Sequence, residues 1–79
     1  MKKCELKVVK FRYGEKIYEE VLGNVMMFEG RISAKVWEKW HKIAYEKIKV
    51  GSQEYLGFYI SGKKVNPPEP LSDFAYIGK

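Results

Sequence analysis

The stretch SAKVWEKWHKIAYEKIKVG, running from Ser33 to Gly51, decides the fold class. Val36, Trp37, Trp40, Ile43, Ala44 and Ile48 recur in it at three- and four-residue spacing. That spacing puts them on one continuous apolar stripe of a helix, with charged residues on the other side. Ser33 is an acceptable N-cap, although the third position after it is Val36 and not the Glu of a capping box. Glu38 and Lys42 form a favourable i,i+4 pair, and Lys47 and Lys49 lie at the negative end of the helix dipole. Gly51 supplies the expected stop.

Upstream of the helix the pattern changes to that of strands. From Glu5 to Tyr13, β-branched and aromatic residues alternate with Lys and Arg. Leu6 and Val8 share one face, and Val9, Phe11 and Tyr13 share the other. The slip between Val8 and Val9 implies a bulge or a strand buried on both sides. Gly14-Glu15 reads as a turn, so Lys16–Leu22 returns as a second strand. The same residues also fit two turns of helix ended by Gly23-Asn24, and the strand is the preferred reading. Val25–Phe28 is expected as a short third strand, closed by Glu29-Gly30.

Downstream, Gln53–Ile60 reads as a strand with Leu56, Phe58 and Ile60 on one face, and Gly57 marks a bulge or a close backbone approach. Ser61-Gly62-Lys63 suits a hairpin turn into a short strand at Lys64-Val65. Asn66-Pro67-Pro68-Glu69-Pro70 cannot pair as a central strand. Residues 66–79 are expected as an extended Pro-rich segment that docks on the domain or on a second subunit through Phe74, Tyr76 and Ile77. The expectation is one domain over residues 1–79, of class α+β. It comprises a small antiparallel sheet of four or five strands with one amphipathic helix packed on it, in the order β-β-β-α-β-β.

The chain has 79 residues, a net charge of +5, 46% hydrophobic and 15% aromatic residues. At that length roughly 60–65% of the unfolded surface is buried on folding, which excludes multi-domain enzymes and large cofactor folds. The aromatic and aliphatic content excludes a disordered tail. A single cysteine, Cys4, cannot form an internal disulfide, so a reducing cytoplasm is the simpler setting. The longest apolar run, Val25–Phe28, is far below the roughly 20 residues that span a bilayer. The chain lacks Thr and has one Gln and two Asn beside abundant Lys and Glu, a balance expected of a thermophile.

Charge resolved by segment is more informative than the total. Residues 1–16 carry +4, residues 17–30 carry −3 and residues 31–50 carry +4. The basic excess therefore lies on the first strand, with Lys7, Lys10 and Arg12, and around the helix, with Arg31, Lys35, Lys39, Lys42 and Lys49. Converging on one surface, these groups would neutralise phosphates. Tyr55 and Tyr59 are candidates for base stacking on an open sheet face, and Phe74 and Tyr76 for a subunit or partner contact.

Other chemistries fare worse. Gly57–Lys64 matches G-x-x-x-x-G-K but ends in Lys where magnesium needs a hydroxyl, and prolines follow where the helix should begin. The same stretch lacks the leading base and the second glycine of an RRM aromatic strand. One His, His41, and one Cys cannot supply the three or four ligands of an intramolecular zinc site. A small metal-free nuclease would have to use His41 with Tyr and Lys, which no spacing of acids, His or Cys supports, and Pro67–Pro70 meets P-x-x-P only formally. The expected function is sequence-tolerant nucleic-acid binding through Lys and Arg on the helix and first strand. The chain is read as a homodimer without cofactor, metal or enzymatic activity. The alternative is a protein-interaction module of a thermophilic archaeal virus or plasmid.

Overall fold

A computed structural model describes residues 2–78. Two glycine turns set its sheet. Tyr13-Gly14 (φ 51° and 78°) and Ser61-Gly62 (φ 52° and 79°) are left-handed at both central residues. That is the type I′ pattern, whose twist matches paired strands. The first joins strand β1 (Lys2–Arg12) to β2 (Glu15–Met27), and the second joins β4 (Glu54–Ile60) to β5 (Lys63–Lys64). The four make one antiparallel sheet in the order β2-β1-β4-β5, so the basic first strand is central.

Residues 16–22 are strand, and β2 runs on through Gly23-Asn24 without a break. The expected separate strand at Val25–Phe28 is therefore mostly the end of β2, and the third strand is β3 (Arg31–Ser33). Val8 and Val9 are both buried, so the slip in the first strand reflects burial on two sides. The bulges lie in its partner. Leu6 pairs Gly23 while Lys7 pairs Val21, which leaves Leu22 over; Lys10 pairs Tyr18 while Phe11 pairs Lys16, which leaves Ile17 over.

Helix α1 (Ala34–Lys47) starts where expected, with the Ser33 hydroxyl accepting the Lys35 N–H at 3.2 Å and the Asp73 carbonyl accepting the Ala34 N–H at 2.8 Å. It ends before Gly51. Ile48 takes extended backbone (φ −113°) while its N–H still donates to the Ala44 carbonyl, and its side chain turns into the core. Burial of that isoleucine, and not a left-handed glycine, stops the helix. Gly51 instead donates its N–H to Glu54 Oε1 at 2.8 Å.

A strand absent from the expected order, β6 (Phe74–Tyr76), pairs antiparallel with β3 to form a second, two-stranded sheet. Val65 and Ile77 form a further bridge, so the C-terminal segment is docked on its own chain. Leu6, Val8, Val25, Ile32, Ala44, Leu56, Phe58, Ile60, Val65 and Ala75 form the core, with Trp37 and Trp40 of the helix packed against it. All of this lies on one face of the large sheet.

Candidate nucleic-acid interface

The other face of the large sheet carries no helix. In β1, Leu6 and Val8 point to the core, so Lys7, Val9 and Phe11 point away from it. Register places Tyr59 opposite Lys7, Gly57 opposite Val9 and Tyr55 opposite Phe11. On the outer side Tyr59 also faces Lys64. The alternation therefore gathers three rings onto one surface. Phe11 stacks on Tyr55 with centroids 5.1 Å apart and planes 19° apart, and Tyr59 leans on Phe11 at 6.4 Å. Gly57 is what lets the rings close over the backbone: a Cβ there would lie 3.0 Å from Tyr59 Cε1 and 3.1 Å from Phe11 Cε2. Beside the rings lies an open depression of about 580 Å³, lined among others by Lys3, Lys7, Val9, Lys16 and Tyr59 and by the Ser61-Gly62 turn.

Glu19 sits at the rim, with its carboxylate 3.1 Å from Lys7 Nζ and 2.5 Å from Lys16 Nζ. Hydrogen bonds from Lys16 and then Lys7 hold its carboxyl below the usual carboxylate range. Among the described residues, Lys3 and Lys64 make no ion pair. The face thus offers aromatic surface, an apolar floor in Val9 and more cationic than anionic groups.

The basic residues singled out in the sequence do not converge. Lys7 lies on the uncovered face. Lys10 and Arg12 point the opposite way and are neutralised: Lys10 Nζ donates to the Lys49 carbonyl at 3.0 Å and lies 3.5 Å from Glu54, and Arg12 Nε donates to Glu54 at 3.0 Å. The Gly51 N–H, the Arg12 guanidinium and Lys10 together lower the Glu54 carboxyl to about 2. Arg31 pairs with Glu29 at 3.6 Å, and its guanidinium lies 4.4 Å from the Phe74 ring centre and 5.4 Å from that of Phe28. Lys35, Lys39, Lys42 and Lys49 are exposed on or just beyond the helix, on the far side of the molecule from the aromatic face. Lys39 rests over the Trp40 ring at 5.5 Å.

Tyr55 and Tyr59 do come together, and Phe11 joins them. Phe11, Lys3, Lys16 and Lys64 are absent from the sequence-based set. Alternation marks Val9 and Phe11, and separately Tyr55, Gly57 and Tyr59, as sharing a face, and the β1–β4 register is what brings the two sets together. Phe74 is a half-buried prop for Arg31, and Tyr76 is exposed on β6. His41 lies between Trp37 and Tyr45, 4.7 Å from each ring, and burial lowers its pKa below the ordinary value. Among the described residues, no three His, Cys, Asp or Glu side chains cluster as metal ligands, and no helix is long and apolar enough to cross a membrane. The chain matches no protein-family model, and comparison with curated proteins and with solved structures found no similar chain.

Proposed function

We propose that the chain binds single-stranded nucleic acid with little sequence preference, through the uncovered sheet face and without a catalytic step. The observation that carries this reading is the Phe11–Tyr55–Tyr59 ring cluster, with Tyr55 half exposed, beside a lysine-fringed depression. Every base has a π-face, so stacking on such rings is tolerant of sequence, while lysines track the phosphates. A duplex hides its base faces, so this surface favours unpaired strands. The helix lysines contribute field at long range and no contact.

Fluorescence anisotropy with an oligo-dT strand and with a duplex of equal length tests the reading. Single-strand affinity should fall as salt rises, with a slope of about −0.7 for each phosphate neutralised. Tyr55→Ala and Tyr59→Ala should each cost about 1–3 kcal/mol of binding. Equal affinity for the duplex, or binding unchanged by both substitutions, refutes it.

A second reading, protein interaction through the C-terminal segment, is favoured by Leu71. This leucine is fully exposed beside the prolines and holds a φ of 69°, a conformation unusual for a branched side chain. It predicts salt-insensitive association with a protein that is lost in Leu71→Ser.

A further inference from the structure

Lys16 and Glu19 are three residues apart on β2, and on a regular strand residues at that separation point to opposite faces. Here they touch, because the extra residue Ile17 shifts the register: Lys16 pairs Phe11, Glu19 pairs Val9, and both partners belong to the uncovered face. The bulge therefore re-aims a second lysine into the depression that already holds Lys7, a use bulges commonly serve beside binding sites. The result is two ammonium groups held on one carboxylate at the edge of the ring cluster.

We propose that Lys7 and Lys16 form a phosphate-binding site on this face, and that Glu19 is its resident competitor. The inference rests on the reading of the face as a single-strand platform. A carboxylate bridged by two lysines presents two oxygens much as a phosphodiester does, so the same pair accepts either. The exchange is inexpensive. Both lysines and Glu19 are substantially exposed, and exposed ion pairs are worth only about 0–1 kcal/mol each. Glu19 lies on an edge strand, so its side chain can swing into water when a phosphate arrives. The protein thus carries an internal mask that reduces its affinity for polyanions and favours strands that also stack on Tyr59 and Phe11.

The test compares Glu19→Gln with Glu46→Gln, an exposed acid on the helix whose loss changes the net charge equally. The probe is an oligo-dT strand at about 50 mM salt. Glu19→Gln should bind about threefold to tenfold more tightly than the unaltered chain. Its salt slope should steepen by about 0.7 for each lysine newly placed on a phosphate. Glu46→Gln should show less than half of that gain, and adding Lys16→Ala to Glu19→Gln should abolish it. Equal gains in the two glutamine variants, or none in Glu19→Gln while the unaltered chain binds, overturn the masking role alone. Absence of binding by both the unaltered chain and Glu19→Gln overturns the platform as well. Binding by Glu19→Gln alone supports both.

Discussion

Gly23→Ala probes the packing that fixes the helix against the sheet and leaves the opposite face free. Gly23 pairs Leu6 across the sheet and faces the helix. A Cβ built there would lie 2.7 Å from Trp40 Cη2, 3.1 Å from Cζ2 and 3.4 Å from Cζ3. Carbon atoms in good contact sit about 3.5–4.0 Å apart, so the indole must retreat by about 1 Å. The ring is rigid, and its helix is anchored by Ala44, which is fully buried. Overpacking of this kind costs about 1–3 kcal/mol. Against it stands a gain of about 0.5–1 kcal/mol, because alanine narrows the unfolded ensemble and Gly23 does not have the positive φ that would strain it. The net expectation is a loss of about 0–2.5 kcal/mol centred near 1, which at its centre is a fall in Tm of about 4–8 °C for a chain of this size. Thermal and urea denaturation followed by circular dichroism measure it. Trp40→Phe removes the opposing atoms, so in that background Gly23→Ala should become neutral or stabilising. A stabilising Gly23→Ala in the unaltered chain, or an equal effect of Gly23→Ala in the Trp40→Phe background, refutes the reasoning.

Three further outcomes are expected. Ile60→Ala opens the centre of the core and should cost about 2–5 kcal/mol by urea denaturation. The Glu54 carboxyl is held at about 2 in the fold and returns to its ordinary 4.5 when unfolded. The unfolded chain therefore takes up that proton first, and stability is lost as pH falls from about 4.5 towards 2. Glu54→Gln should make that acid limb shallower while lowering stability at neutral pH. Lys35, Lys39 and Lys42 lie across the molecule from the rings, so replacing all three with Ala should weaken single-strand binding less than Tyr59→Ala does, by anisotropy at about 150 mM salt.

The helix was legible because six apolar residues repeat with its period, and the first hairpin because glycine marks its turn. The second sheet was not, since β3 and β6 have three residues each, too few for alternation to show. The fate of the basic residues depended on contacts distant in the chain. Lys10 and Arg12 look free beside their neighbours, yet both meet Glu54, 42 residues beyond Arg12. Lys16 stands at the start of the expected second strand, three residues from Glu19 and so on the opposite face from it, and only the bulge at Ile17 brings it beside Lys7. Tyr55 and Tyr59 were legible as a pair with an open face. Their partner Phe11 required the register of β1 against β4, which periodicity alone does not specify.

Amide chemical-shift mapping on the isotope-labelled chain, titrated with an oligo-dT strand, asks directly which surface binds. The uncovered face predicts shifts concentrated at Lys7, Val9, Phe11, Tyr55, Gly57 and Tyr59, with Lys35, Lys39 and Lys42 nearly still. Shifts centred on the helix lysines, or on the segment around Leu71 and Tyr76, would contradict it.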